Sequence, residues 1–235
     1  METISRRDFV RTSVAAGAVA ATVTGPSAVS HAAGGPSQPG KNKIIAISCS
    51  PRKGKTTATS LKACLEAAQQ VDANIETELI ELAGLKINGN LAAGIPLEPG
   101  EKDDFPALVP RLTAPEIRGI IIGTPVYFSN MSSLCKAFLD RCIAMYKNDL
   151  ALSNKVAGAL AVGGSRNGGQ EATLQSVQAS LFCQEMIVVG NGRPGARFGA
   201  TVWSGAPGGV TQDEYGMKTA RNLGRRVAET ALRLK

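Results

Sequence analysis

Residues 48–57, which read SCSPRKGKTT, combine hydroxyl and cationic side chains with a glycine, and this combination suits the binding of a phosphate. The GKT triplet at 54–56 matches the second half of a P-loop, G-x-x-x-x-G-K-[ST], in which backbone N–H groups and a lysine hold nucleotide phosphates. Cys49 stands where the first glycine of that pattern belongs, and Pro51 removes one backbone N–H. The segment therefore predicts a phosphate site and leaves the identity of the phosphate open.

Nucleotide hydrolysis would also require an aspartate that holds magnesium at the end of a neighbouring apolar strand. The apolar segments IIIGTPVYF (120–128) and ALAVGGSRN (159–167) supply no such carboxylate. A P-loop phosphotransferase, which would bind nucleotide together with magnesium, is therefore the least favoured interpretation. A phosphate that is held and never transferred needs no metal, so the segment better fits the phosphate of a bound cofactor.

The first 32 residues have the three parts of an export signal. Arg6 and Arg7 lie in a charged head, a weakly apolar run follows, and small residues allow cleavage after Ala32. The run is too short to cross roughly 30 Å of hydrocarbon, which disfavours a membrane anchor. The pattern resembles a twin-arginine signal and predicts transient contact with the export machinery and a periplasmic location. Residues 33–42 are predicted to be a linker, and 43–235 a single domain.

The composition of the chain excludes several classes of function. Its only histidine, His31, lies at the predicted cleavage region, so the mature protein would lack Ser-His-Asp and Cys-His machinery and His-ligated zinc. The formal net charge is +7, but the basic residues are dispersed without an aromatic-rich stripe, so nucleic-acid binding is not expected. Among the five cysteines, Cys64, Cys135 and Cys142 are predicted to be small buried hydrophobes. Any enzymatic chemistry must come from carboxylates, a thiol or a cofactor.

Short apolar runs alternate with stretches of helical periodicity from residue 43 onwards. This alternation predicts βαβ units, and the continuous apolar runs predict strands that are covered on both faces. Five strands and five helices fit an α/β fold, a flavodoxin-like doubly wound sheet of five parallel strands in the order 2-1-3-4-5. The predicted strands are 43–48, 75–82, 117–124, 155–164 and 185–191, and the predicted helices are 57–71, 104–112, 130–147, 168–183 and 211–235.

In such a sheet the ligand lies beyond the C-terminal ends of the strands, so the loops after strands one, three and four should converge. The loop after strand three offers Tyr127 and Phe128 as flat apolar surface for a planar ring. The glycine-rich loop after strand four, at 163–171, can bring backbone N–H groups to the edge of such a ring. Residues 83–104 are long for a connection and are either a lid or a flexible excursion.

Four segments together resemble the NADPH-dependent FMN reductase family, especially its branch related to iron–sulfur flavoproteins: SCSPRKGKTT, GTPVYFSNMSSLCKAFLDR, GGSRNGGQEATLQSV and YGMKTARNLGRRVAE. The resemblance extends from about Lys43 to the C-terminus. It implies noncovalently bound FMN, with the phosphate in the first of these segments and the isoalloxazine ring between the second and third. The implied cofactor-binding residues are Ser50, Arg52, Lys55, Thr56 and Thr57 for the phosphate; Pro125, Val126, Tyr127, Phe128 and Asn130 for the ring; and Gly164, Ser165, Arg166, Asn167, Gly168 and Gly169 in the third segment.

The resemblance also implies an NAD(P)H:flavin or quinone reductase in which the flavin carries the chemistry, NAD(P)H is the donor and the chain forms a homodimer or homotetramer. A flavodoxin-like electron carrier without turnover of its own is the alternative. The iron–sulfur branch has a cysteine cluster in the loop after strand two, whereas 83–104 contains no cysteine, so no iron–sulfur cluster is expected. Because NAD(P)H is scarce outside the cytoplasmic membrane, a membrane quinol or a redox protein is an alternative donor.

Overall fold

The computed structural model describes residues 42–234. The predicted export signal lies outside the described residues, as does the predicted linker apart from Asn42. In the part of the chain that is described, no helix has both the length and the apolar character needed to cross a membrane.

One twisted sheet forms the centre of the described chain. Its strands are parallel except for β4, which pairs with β3 as a hairpin, and the main order is β2-β1-β3-β5-β6. The predicted order 2-1-3-4-5 is therefore confirmed, with β5 and β6 as its fourth and fifth strands. The strands within residues 42–234 are β1 (Asn42–Ser48), β2 (Ile75–Glu81), β3 (Ile117–Tyr127), β4 (Asn130–Met131), β5 (Val156–Gly163), β6 (Ile187–Val188) and β7 (Ala200–Trp203).

The fifth position of the sheet differs from the prediction. The strand expected at 185–191 is reduced to β6, which pairs with the start of β5, and β7 pairs with the end of β5 in the same position of the sheet. The excursion between them closes at its base, where the Asn191 N–H donates to the Arg197 carbonyl (3.1 Å) and Asn191 Oδ1 accepts the Arg197 N–H (2.7 Å). The four-residue run of β7 is flanked by glycine-rich segments and is too short to be recognised by its pattern alone.

The helices cover both faces of the sheet. The predicted helix at 104–112 is instead a 3₁₀ turn, Phe105–Ala107, followed by one short helix, because Pro106 and Pro110 each remove a backbone donor. The helix predicted at 130–147 starts later, because residues 130–131 pair with β3, and it divides at Cys142. The α-helices within residues 42–234 are α1 (Thr56–Gln69), α2 (Val109–Thr113), α3 (Ser133–Arg141), α4 (Ile143–Tyr146), α5 (Gln170–Phe182) and α6 (Glu214–Arg233).

Buried apolar side chains form two clusters, one on each side of the sheet. Alternate residues of β1 enter different clusters, since Ile44 packs with α1 and α6 residues and Ile45 packs with residues of α2 to α5. Helices α1 and α6 cross closely at Gly224, where a Cβ would lie 1.8 Å from the Cys64 carbonyl oxygen. The prediction of strands covered on both faces is thus confirmed.

The segment 83–104 is tied down at both ends. The Lys86 N–H donates to an Asp104 carboxylate oxygen (2.7 Å), and the Asp104 N–H donates to the Lys86 carbonyl (2.8 Å). Arg141 forms a two-bond ion pair with Asp103 (2.8 and 2.7 Å) and lies 4.7 Å from the centre of the Phe105 ring. Hydrogen bonds from Arg141 hold the pKa of the Asp103 carboxyl below its usual value. The segment is therefore an anchored excursion in this structure.

Candidate functional site

The first loop (residues 49–55) joins β1 to α1 in a fixed turn. Ser50 is buried, and its Oγ accepts the Arg52 N–H (3.1 Å) and donates to the Arg52 carbonyl (3.2 Å). Gly54 has φ +66°, in the left-handed region that favours glycine. The loop is thereby held with 51–55 exposed at the C-terminal edge of the sheet.

The N-terminus of α1 follows this loop directly. Lys55 is the N-cap and supplies no side-chain acceptor, so the first N–H groups of the helix have no cap. Arg52 and Lys55 are exposed beside them, Thr56 is half-buried, and Thr57 is buried. Unpaired helix N–H groups with adjacent cations make a site for an anion.

The second loop (residues 124–132) is a β-hairpin rather than a simple turn into a helix. Val126 pairs with Met131 and Tyr127 with Asn130, and both turn residues have positive φ, +49° for Phe128 and +59° for Ser129. Such two-residue turns match the twist of paired strands. Phe128 is fully exposed (104%) and Tyr127 is 44% exposed, while Pro125 is buried in β3. Two aromatic surfaces are therefore open at this edge.

A hydrogen bond joins the first loop to the second. The Ser132 hydroxyl donates to the Cys49 carbonyl (2.7 Å) and accepts the Cys135 N–H (3.1 Å), which caps α3. The Ser132 N–H in turn donates to the Thr124 hydroxyl (3.1 Å). These groups are buried, so the relative position of the two loops is fixed by satisfied polar contacts.

The third loop (residues 163–169) packs directly on the second. Gly169 has φ +93°, and a Cβ there would lie 2.5 Å from the Ser129 hydroxyl oxygen. The buried Gln170 side chain holds the loop from within, accepting the Gly168 N–H (2.8 Å) and donating to the Ser165 carbonyl (2.6 Å). By contrast, the space around Gly164 is open. The predicted convergence of three loops is confirmed.

The Arg166 side chain is engaged in an ion pair. Its guanidinium binds both carboxylate oxygens of Asp213, one at 3.2 Å, and lies 5.3 Å from the centre of the Trp203 ring and 5.9 Å from that of Tyr215. Asp213 also accepts the N–H groups of Trp203 (2.7 Å) and Gly216 (3.0 Å). Burial raises the pKa of this carboxyl, but the hydrogen bonds outweigh burial and hold the pKa below its usual value.

A fourth loop (residues 203–209) completes this edge of the sheet and was not predicted, because it follows the unpredicted β7. Trp203 Nε1 donates to the Gly164 carbonyl (2.9 Å), and the Ser204 N–H donates to the Gly163 carbonyl (2.9 Å). Asp213, Gln170 and Trp203 were likewise not among the predicted site residues. The predicted helix 211–235 enclosed Asp213, whereas α6 begins at Glu214 and Asp213 is its N-cap; aspartate is a favoured cap, and this preference was the local signal that could have identified it.

A polar cleft of about 420 Å³ adjoins the third loop on the side of α6. Arg197 contributes to its wall, and its Nε donates to the Tyr215 hydroxyl (3.0 Å). Arg166 and Gly169 belong both to this cleft and to the third loop. A small molecule could therefore reach the third loop from this side.

The thiols beneath the loops are buried. Cys49, Cys64, Cys135 and Cys142 are all buried. The prediction of buried cysteines, made for Cys64, Cys135 and Cys142, is therefore confirmed. Burial raises the pKa of the Cys49 thiol well above its usual value and that of Cys142 to about 12. A raised pKa disfavours the reactive thiolate of Cys49 and Cys142, and burial among apolar side chains gives all four cysteines a packing role.

Comparison with known proteins places this chain in a family. Residues 42–200 match the family described as NADPH-dependent FMN reductase. An iron–sulfur flavoprotein of Methanocaldococcus jannaschii is 39% identical over 196 residues, which cover 82% of this chain and 99% of the relative. A protein named NAD(P)H dehydrogenase (quinone), from Rhodopseudomonas palustris, is 35% identical over 127 residues, 49% of this chain and 63% of that protein.

Solved structures show the same fold. A WrbA-like flavodoxin of Agrobacterium tumefaciens superposes with a TM-score of 0.58 at 22% identity, covering 83% of this chain and 99% of that one. RosB, in complex with 8-demethyl-8-formylriboflavin-5'-phosphate, gives a TM-score of 0.63 at 17% identity, covering 82% and 79%. Because the family model matches residues 42–200 and the relative from Methanocaldococcus jannaschii is matched over 99% of its length, the chain belongs to the NADPH-dependent FMN reductase family.

Proposed function

We propose that this protein binds FMN noncovalently and acts as an NAD(P)H-dependent oxidoreductase that reduces a quinone or a flavin. Three features at one edge of the sheet carry the proposal. They are the uncapped N-terminus of α1, the exposed aromatic residues Tyr127 and Phe128, and the open backbone at Gly164. Family membership and relatives named NAD(P)H dehydrogenase (quinone) support the same activity.

The first loop fits the phosphate end of FMN. The N–H groups at the start of α1 lack a cap, and Arg52 is exposed next to them. An arginine can give two parallel hydrogen bonds to a phosphate, and the helix dipole favours the same charge. Ser50 is turned inward to hold Arg52 through backbone contacts, so its part is to shape the loop.

The second and third loops fit a planar ring. Tyr127 and Phe128 present exposed aromatic surface, and the open space at Gly164 lets a ring edge approach the backbone. The Arg166 guanidinium keeps a positive charge beside the third loop, at a position fixed by Asp213. When bound, FMN supplies the hydride acceptance and electron transfer that the side chains themselves do not. The chain's own part is to hold and orient the ring.

We propose further that the chain holds no iron–sulfur cluster, although relatives are named iron–sulfur flavoproteins. Cluster ligation uses cysteine thiolates, and the excursion at 83–104 has no cysteine. Four of the five cysteines are buried in the two apolar clusters or beneath the loops. Iron and acid-labile sulfide measured in protein produced with a functional cluster-assembly system would be at background level.

Self-association into a homodimer or homotetramer is also proposed. Tyr127 and Phe128 are adjacent and both exposed at one hairpin, and an exposed apolar patch of this kind marks a surface that a second copy of the chain could cover. Light scattering of the purified protein measures the mass directly, and a mass of one chain at micromolar concentration would contradict this proposal.

Anaerobic reduction of the flavin-loaded protein tests the reductase directly. We expect stoichiometric NADPH or NADH to bleach the oxidised-flavin absorbance, and a quinone or free FMN to restore it with turnover. A protein whose flavin is reduced by dithionite but by neither nicotinamide would be an electron carrier or would take its electrons from another donor, such as a quinol. That result would contradict the reductase and leave FMN binding intact.

Arg52→Ala is expected to weaken FMN binding by about 1.5–3 kcal/mol, roughly tenfold to a hundredfold, because it removes a charge-assisted contact to the phosphate. Riboflavin, which has no phosphate, should bind with unchanged affinity. Flavin fluorescence titration of the apoprotein measures both. Lys62→Ala, which removes an exposed cation from α1 away from the loop, is the matched control. Unchanged FMN affinity in the Arg52 variant would show that the phosphate binds elsewhere.

Export by the twin-arginine pathway is a proposal that rests on the N-terminal sequence. Changing Arg6 and Arg7 together to Lys should leave the protein in the cytoplasm, as judged by cell fractionation, because the signal is read through that pair. Arg11→Lys lies outside the pair and serves as control. Continued export of the double variant would contradict the proposal.

A further inference from the structure

Glu81 makes a contact with the first loop from the neighbouring strand. It is the last residue of β2, and the parallel register places it opposite Ser48, the last residue of β1. The ladder continues one step further, since the Leu82 N–H donates to the Ser48 carbonyl (2.9 Å). The Glu81 carboxylate is thereby held at the point where the first loop leaves the sheet.

From this position Glu81 Oε2 accepts the N–H of Gly54 at 2.8 Å. Position 54 requires glycine because of its φ of +66° and not because of crowding, since nothing lies within 4 Å of a Cβ there. It immediately precedes Lys55, the N-cap of α1. A hydrogen bond that fixes the backbone at Gly54 therefore also fixes Lys55, the residue immediately before α1.

We propose that Glu81 is a positioning residue for the phosphate end of the flavin cofactor. Its carboxylate holds the turn at Gly54, so that the loop is already ordered when the phosphate binds. The loss of conformational entropy on binding is then smaller. The inference rests on the proposed FMN site. It concerns binding alone and does not depend on which molecule donates or accepts electrons.

The carboxylate has two opposing effects that can be separated. Its hydrogen bond orders the loop, whereas its negative charge repels a phosphate. Three exposed cations, Arg52, Lys53 and Lys55, offset that charge on the same loop. We therefore expect the hydrogen bond to dominate, and an uncharged side chain of the same length and acceptor should serve at least as well.

Three variants distinguish these effects. Glu81→Ala removes the acceptor, Glu81→Asp keeps the charge but is shorter by one methylene, and Glu81→Gln keeps the length and the acceptor without the charge. We expect FMN affinity to fall about tenfold in the first two and to be equal to or tighter than wild type in the third. Riboflavin affinity should be unchanged throughout, because only the phosphate end is affected.

Fluorescence titration of the apoproteins with FMN and with riboflavin provides these values, and thermal unfolding reports whether each variant is folded. Glu66→Ala, which removes an exposed acid from α1, is the matched control. Wild-type FMN affinity in the Ala and Asp variants, an equal loss for riboflavin, or a Gln variant as weak as Ala would each overturn the inference. If the Ala variant does not fold, the Asp and Gln variants decide the question. A wild-type protein that binds FMN without oxidising NAD(P)H would contradict only the reductase.

Discussion

Replacing Asp213 with alanine is expected to lower the free energy of unfolding by about 2–5 kcal/mol. The side chain is fully buried and accepts the N–H groups of Trp203 and Gly216 as well as the guanidinium of Arg166. Its removal leaves two backbone donors without their acceptor and frees the loops that Arg166 and Trp203 hold. Urea denaturation monitored by the fluorescence of Trp203, the only tryptophan, measures the change.

The control for Asp213 is an ion pair on the surface. Asp140→Ala breaks the exposed contact between Lys136 and Asp140 on α3, and such pairs contribute about 0.2–1 kcal/mol. A loss at Asp213 no larger than the loss at Asp140 would contradict the role assigned to the buried carboxylate. Arg166→Ala should cost less than Asp213→Ala, because Asp213 then keeps its two backbone donors.

The same carboxyl gives stability a dependence on pH. Its folded pKa is lower than its ordinary value of 3.8, so its stabilising contribution is complete above that value and is lost as the pH falls through the folded pKa. Asp103 acts in the same direction through Arg141. We expect the wild-type protein to lose stability below about pH 4 and Asp213→Asn to lose less over the same range. Denaturation midpoints from pH 6 down to about pH 3 test this.

Gly169→Ala is expected to separate the second and third loops and to weaken FMN binding by more than about tenfold. The residue has φ +93°, where an L side chain is strained, and its Cβ would lie 2.5–2.7 Å from three Ser129 atoms, two of them on the side chain. Strain and overlap together should also destabilise the fold by about 2–4 kcal/mol. Flavin titration and urea denaturation measure the two effects.

Gly164→Ala is the informative partner of this variant. Nothing lies within 4 Å of its Cβ, so the fold should be unaffected, within about 0.5 kcal/mol. The methyl group would nevertheless stand where the ring edge is proposed to approach the backbone, and FMN affinity should fall.

Wild-type FMN affinity in Gly169→Ala would show that the second and third loops do not form the site together.

Much of this architecture follows from local patterns in the sequence. The continuous apolar run of β5, all eight residues of which are buried, identifies a strand with helices on both faces. The alternation of such runs with helical periodicity gave the order of the sheet and the edge where the loops meet. The glycines and cations of the first loop likewise indicated an anion site, because their chemistry requires no distant partner.

The sequence by itself therefore determined the sheet order and the edge of the sheet at which the loops meet, and it predicted a phosphate site in the first loop. Only the tertiary structure decided that the fifth strand divides into β6 and β7, that Arg166 pairs with Asp213, and that Glu81 holds Gly54. The last two contacts join residues 47 and 27 positions apart. A side chain's partner at such a separation depends on how the intervening elements pack, and periodicity reports only which face of one element is buried.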